Sequence, residues 1–160
     1  MYRIYHTEGM VLESRLAGEA SKIFSLFTKE LGLLHARAQG VREMRSKLRY
    51  SLQDFSLGSF DLVRGKNGWR VTSAIGIENL AAFPPEKRKK ALGVLKRVTT
   101  LLLRLFRGEE KDTFLFEDLV SSFRALKNEI ADARAIKDLE ALLVMRILHR
   151  LGYWGEDPAL

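Results

Sequence analysis

The residues best able to engage a ligand are cationic. From Arg37 to Tyr50 the chain reads R-A-Q-G-V-R-E-M-R-S-K-L-R-Y, which sets Arg37, Arg42, Arg45, Lys47 and Arg49 against a single acid, Glu43. Guanidinium and ammonium heads are charge-assisted donors to phosphate oxygens, so the cluster suits a sugar–phosphate backbone. The same residues also read as a solvated surface loop with no ligand. Gly40 lies inside the stretch and strand-like runs flank it, so the expected arrangement is a flexible basic loop standing off a small sheet. Arg15, Lys22, Arg64 and Lys66 are outlying cations of the same expected nucleic-acid-binding surface. Tyr50, beside Arg49, is the candidate for exposed base stacking. Phe55, Phe60 and Trp69 are expected mostly in the core of so small a sheet.

Bond-making chemistry has little to rest on. His6, His35 and His149 are far apart, with no i, i+4 pair and no H-E-x-x-H. Glu109-Glu110 and Glu117-Asp118 are neighbours in sequence, and neighbours on a helix point to different faces. No P-loop, G-x-S-x-G or dinucleotide fingerprint occurs. There is no cysteine, so neither a disulfide framework nor a thiolate zinc site is available. The expectation is a non-enzyme with no cofactor, no metal and no catalytic residue. The absence of cysteine fits a reducing cytosol. No secretory signal is read in Met1 to Gly9, and no membrane span, since Lys96, Arg97 and Arg104 interrupt the most apolar run, Leu92 to Phe106.

Charge is unevenly placed along the 160 residues, whose net charge is +7. Residues 37–49 carry 5 basic and 1 acidic side chains, net +4, which equals the whole excess of residues 1–80 (12 basic, 8 acidic). Residues 87–107 carry 8 basic and no acidic groups, and residues 108–160 carry 7 basic and 11 acidic, net −4. Two basic zones followed by an acidic end favour a polyanionic partner: nucleic acid, an acidic protein tail or an anionic membrane surface.

Short strands must position the first basic zone. Gly9–Ser14, Ile23–Thr28, Leu33–Ala38, Phe55–Val63 and Trp69–Ile77 are β-compatible, with turns at Leu16–Glu19, Lys29–Gly32 and Arg64–Gly68. Both faces of Ile23–Thr28 look half buried, and a register shift is expected at Gly58-Ser59. Five strands with a longer connection after the third predict a Greek-key OB-fold barrel. Phe83-Pro84-Pro85 marks a boundary, so the expected organisation is an α+β chain: a barrel over residues 1–80 and an all-α section over 84–160. Helical spacing then recurs in Leu92, Leu95, Val98, Leu102, Leu105 and Phe106. It recurs again in Phe116, Leu119, Val120, Phe123 and Leu126, and in Ile136, Leu139, Leu143 and Ile147. Asp112 or Thr113 is the expected cap of the second helix, a break is expected over 128–132, and Gly152 closes the third. Gly155–Pro158 reads as a frayed tail. Lys90, Arg97 and Arg104 step by seven along the first helix and share its outer face.

Taken together these segments resemble the RecO family of bacterial recombination mediators over nearly the whole chain. Glu8 to Leu12 (E-G-M-V-L) resembles the family's first strand, and Gly18-Glu19-Ala20-Ser21 its G-E-x-[SD] turn. Phe27 to Gly32 resembles its F/L-T-x-E-x-G hairpin. Gly40-Val41-Arg42 with Ser46-Lys47-Leu48-Arg49 resembles its K-G-A-R…S-x-L basic segment. Leu52 to Phe55 resembles its L-x-P-F entry to the fourth strand, and Leu142 to Tyr153 its closing helix. Gln39 stands where the family usually has Lys, and Asp54 where it usually has Pro. The family continues beyond the Gly152-Tyr153 position into a second helical portion, often with a four-cysteine zinc module. The chain is therefore expected to be a fragment or an abbreviated relative without that zinc role.

The resemblance implies a DNA repair and recombination protein of the bacterial cytoplasm, associated with the nucleoid. It implies an OB-fold that binds single- and double-stranded DNA and promotes strand annealing. The implied partners are the single-strand-binding protein, whose acidic tail is captured, and RecR. An alternative is a protein-interaction adaptor that captures acidic peptides through the basic helix Lys87 to Arg107, with Lys90, Arg97 and Arg104 as contacts. A membrane-surface role for residues 86–107 is a third reading, set aside because the flanking half forms a complete barrel.

Overall fold

A computed structural model describes residues 2–43 and 45–154; the expected tail Gly155–Pro158 lies outside them. The chain forms strands β1 (Ile4–Leu16), β2 (Lys22–Thr28) and β3 (Gly32–Ala38), a one-turn helix α1 (Leu48–Ser51), and strands β4 (Ser56–Gly65) and β5 (Gly68–Asn79). Helices α2 (Pro85–Leu105), α3 (Thr113–Asn128) and α4 (Ala133–Arg150) follow. The strands close a barrel in the order β1-β2-β3-β5-β4, the OB-fold arrangement. All pairings are antiparallel except β3 with β5, which meet in parallel through Ala36 opposite Trp69 and Arg37 opposite Arg70.

Two apolar clusters explain the strand patterns. Inside the barrel lie Val11, Phe24, Leu26, Leu34, Phe60, Leu62 and Val71. On the outer side, Met10, Leu12, Phe27, Leu33 and Leu57 join Leu95, Val98, Leu102, Phe116, Leu119, Phe123 and other helical residues in one cluster. Strand β2 is thus covered on both faces, which is why its sequence does not alternate cleanly: alternation needs one wet face. Strand β1 is longer than its apolar centre suggests, because Ile4–Glu8 continues as an exposed-edged partner of β4.

The expected register shift in β4 falls between Leu57 and Gly58, and a second falls between Asp61 and Leu62. In both cases the unpaired extra residue belongs to β5, Ile77 and Thr72 respectively. Phe55 precedes β4 rather than opening it. It holds a φ of 64°, which a bulky side chain adopts only under constraint. The constraint is visible: its amide donates to Val11 O at 2.7 Å, its carbonyl accepts from Leu80 N at 3.1 Å, and its ring is buried in the shared cluster.

Helix ends follow their residues. Asp112 caps α3 by accepting from Leu115 N, and Asp132 caps α4 by accepting from Ala135 N. Gly152 has φ 76° and donates to His149 O, while Tyr153 N donates to Leu148 O, the paired bonds of a Schellman stop. Lys87 departs from its expected place on a basic outer side. It is buried, and its Nζ donates to Leu126 O at 2.7 Å and Ile130 O at 2.8 Å, satisfying carbonyls at the end of α3.

The turn after α2 docks on the barrel. Gly32 (φ 71°) lies against Glu110, so that a Cβ there would sit within 2.8 Å of three of its backbone atoms. Lys111 pairs with Glu30 and Lys29 with Glu117. Among the described residues no helix is long and apolar enough to cross a membrane.

Candidate nucleic-acid interface

Strand register builds a row of cations that no local pattern displays. Arg15 on β1 faces Ile23 on β2, Ile23 faces Arg37 on β3, and Arg37 faces Arg70 on β5. Directly opposed residues share a sheet face, so Arg15, Arg37 and Arg70 lie across the outer barrel surface, Arg37 and Arg70 one strand spacing of roughly 5 Å apart and Arg15 two spacings from Arg37. They border a groove of about 570 Å³ together with Lys66 from the β4–β5 turn, His35, Tyr2 and the edge of Trp69. None of these four cations is in an ion pair among the described residues, although Arg37 Nη2 donates to Ala17 O at 3.2 Å. His35 Nδ1 lies 3.0 Å from Ser25 Oγ on the groove wall.

Lys22, Arg42 and Arg49 meet elsewhere. They ring a smaller cavity of about 230 Å³ floored by Phe24, Val41 and Leu52. Arg42 is tied by its Nη1 to Glu19 O at 2.6 Å and Gly18 O at 3.3 Å, and its amide donates to Ala20 O. The basic loop is therefore strapped to the β1–β2 turn at Arg42 and becomes helix α1 at Leu48. Arg45 and Lys47 are exposed on that loop and line neither cavity. Arg64 is directed to the helical side. It donates to Glu109 Oε2 at 3.2 Å and stands over the Trp69 ring at 5.4 Å.

Of the nine cations expected to bind nucleic acid, the fold gathers Arg15, Arg37 and Lys66 in one groove and Lys22, Arg42 and Arg49 in another. Arg70 was not among the expected residues. Its alternation with buried Trp69 and Val71 marks it as outward-facing, but only the parallel β3–β5 pairing sets it beside Arg37. Phe55, Phe60 and Trp69 are buried, and Tyr50 is 77% exposed on α1.

On the helical side, Lys90 and Arg97 border a groove of about 470 Å³ between α2 and α4, with Lys89 and Lys137 on its rim and Ala133 and Ile136 on its floor. Arg97 is held by Glu140 through Nε–Oε1 at 2.5 Å and Nη2–Oε2 at 2.8 Å. That bidentate bond holds the Glu140 carboxyl below its ordinary pKa and the Arg97 guanidinium above its own. Arg104 is exposed farther along α2, outside the groove. No group of three or more metal-ligating side chains occurs among the described residues.

Comparison with known proteins follows the same outline. The family model described as "Recombination protein O N terminal" matches residues 1–80. The chain is similar to the DNA repair protein RecO of Heliobacterium modesticaldum, at 32% identity over 154 residues, covering 96% of this chain and 54% of that protein. It is 27% identical over 150 residues to the DNA repair protein RecO of Clostridium novyi, covering 94% and 57%. It is 28% identical over 159 residues to that of a Synechocystis species, covering 99% and 56%. The chain spans about half the length of the curated relatives it matches.

Proposed function

The chain belongs to the recombination protein O family, and from that premise we propose that it is a non-enzymatic recombination mediator of bacterial DNA repair. It binds single- and double-stranded DNA through the outer barrel surface and promotes annealing of complementary strands. The observation that carries this reading is the Arg15–Arg37–Arg70 row with Lys66 from the β4–β5 turn, four cations free of carboxylate partners among the described residues, bordering a groove that the exposed Tyr2 also lines. Arginine heads spaced across strands neutralise successive phosphates without reading bases, so binding is sequence-tolerant and salt-sensitive. Annealing follows when charge repulsion between two strands is screened while base edges stay uncovered.

The test is a titration of labelled single-stranded oligonucleotide against salt. Replacing Arg15, Arg37, Lys66 and Arg70 with Gln is expected to flatten the log–log slope by up to about 3, at roughly 0.7 for each phosphate no longer neutralised. An unchanged slope removes the groove from the mechanism.

A second reading concerns protein partners. The α2–α4 groove has an apolar floor and a cationic rim, a form suited to an acidic peptide ending in apolar residues. This supports capture of the acidic tail of single-strand-binding protein; RecR is a further partner that family membership suggests. Reversing the charge of Lys90 and Lys137 is expected to abolish binding of a short acidic peptide while oligonucleotide binding persists. Loss of both together would count against two separate surfaces.

A further inference from the structure

We propose that the barrel carries two phosphate tracks rather than one, and that the second, formed by Lys22, Arg42 and Arg49, receives a second nucleic-acid strand. This rests on the DNA-binding reading above and extends it. The partition between the tracks is the β1–β2 turn at residues 17–20. It is pinned from one side by Arg37, which borders the larger groove and donates to Ala17 O. It is pinned from the other side by Arg42, which borders the smaller cavity and donates to Gly18 O and Glu19 O. A turn held by two arginines through three of its carbonyls is a fixed ridge. Its exposed acid, Glu19, carries the wrong sign for a phosphate backbone crossing it.

The second cavity has the chemistry of a backbone seat in its own right. Lys22 and Arg49 have no carboxylate within ion-pair reach among the described residues, and no acid lines the cavity. Its floor of Phe24, Val41 and Leu52 is apolar and buried, which weakens screening of the cations above it. Tyr50 stands exposed next to Arg49 on α1, a stacking surface for an uncovered base. Two strands held on either side of a ridge one turn wide lie side by side on one chain, whereas a single long track would hold one strand and leave its complement to diffusion. Annealing, on this geometry, is a capture of two strands by one chain.

The test separates the tracks with partial variants, of the half-buried Lys22 and the exposed Arg49, Lys66 and Arg70. Lys22→Gln with Arg49→Gln is compared with Lys66→Gln with Arg70→Gln, each checked for an unchanged thermal midpoint. The expected result is that the Lys66/Arg70 variant loses about tenfold or more in affinity for a single short oligonucleotide. The Lys22/Arg49 variant keeps that affinity within about twofold but anneals complementary strands at least about tenfold more slowly. It also loses energy transfer between donor- and acceptor-labelled non-complementary strands bound to the wild-type chain. Glu19→Lys, which bridges the ridge, is expected to steepen the salt dependence of single-strand binding by roughly 0.7. Equal loss of single-strand affinity in both double variants overturns the proposal in favour of one continuous track and leaves the DNA-binding reading standing. Failure of the wild-type chain to bind any oligonucleotide overturns both.

Discussion

The indole Nε1 of Trp69 donates to Oε1 of Glu109 at 2.7 Å, a bond that joins the wall of the barrel groove to the turn between α2 and α3. Glu109 also receives Arg64, and the Trp69 ring is met edge-on by Tyr5 at 5.1 Å. One carboxylate of the helical half thus orients an aromatic side chain on the groove side of the barrel. Glu109→Ala is expected to shift Trp69 fluorescence to longer wavelength and to lower stability by about 1–2 kcal/mol through the unpaired indole N–H. The measurement uses a Trp154→Phe background with excitation selective for tryptophan, so that Trp69 is the only indole observed. An unmoved spectrum would show that the bond does not hold in solution.

Lys87 is a second long-range tie. Its ammonium answers two carbonyls at the end of α3 from the first turn of α2. Lys87→Met keeps the aliphatic stem and removes the donors, leaving buried acceptors unanswered. The expected loss is about 2–3 kcal/mol, read as a lower urea midpoint with an unchanged slope. Lys90→Met, on the exposed side of the same helix, is expected to move the midpoint by less than about 0.5 kcal/mol.

Gly32 and Gly18 separate two demands on glycine. Both have positive φ, but a Cβ at Gly32 collides with the Glu110 backbone whereas at Gly18 it meets only the tip of Arg37 at 3.8 Å. Gly18→Ala is expected to cost about 1 kcal/mol, the conformational penalty alone. Gly32→Ala is expected to cost above about 3 kcal/mol, because the α2–α3 turn must lift from the barrel. Equal midpoints for the two variants would contradict the docking.

Acid sensitivity follows from three paired carboxylates. Burial pushes the Asp112 carboxyl up, but the Arg150 guanidinium and the Leu115 amide outweigh it and hold it below the ordinary range. Arg124 and Lys127 lower Glu78, and Arg97 lowers Glu140. A depressed folded pKa contributes stability that is fully present above the unfolded value near 4 and is lost as pH falls through the folded value. Chemical denaturation is expected to give constant stability from about pH 7 to about 5 and a decline below about 4. Asp112→Asn is expected to shallow that decline. A variant curve parallel to the wild type would remove Asp112 from the account.

Glu140 also occupies the guanidinium that a ligand carboxylate would seek in the α2–α4 groove. Glu140→Gln is expected to raise the affinity for an acidic peptide severalfold, because the exchange of one carboxylate for another is no longer required. Weaker binding in that variant would mean that Glu140 positions Arg97 for the ligand instead of competing with it.

Much of this organisation was legible in the residues. Gly32, Gly68 and Gly152 mark turns and a helix stop because only glycine takes their backbone angles freely. Asp112 caps a helix because a short carboxylate reaches its own chain's amides, whereas the matching cap at Asp132 emerged only with the structure. The succession of strand segments along the chain and the helical spacing of Leu95, Val98 and Leu102 likewise reflect forces acting within a few residues. Those local signals, with the ordered family motifs, determined an OB-fold barrel followed by helices and a cationic surface on the barrel.

Tertiary structure decided which cations stand together. Arg70 joins Arg15 and Arg37 because β3 and β5 meet in parallel at two residue pairs, and register between strands distant in sequence is set by closing the barrel over its core. Lys87 leaves the basic face of α2 because the end of α3 arrives with unpaired carbonyls. Arg42 turns toward the β1–β2 turn, and Arg64 toward Glu109, for the same reason. A charged side chain's partner is chosen by whichever acceptor the folded chain brings within reach, and sequence spacing carries no record of that distance.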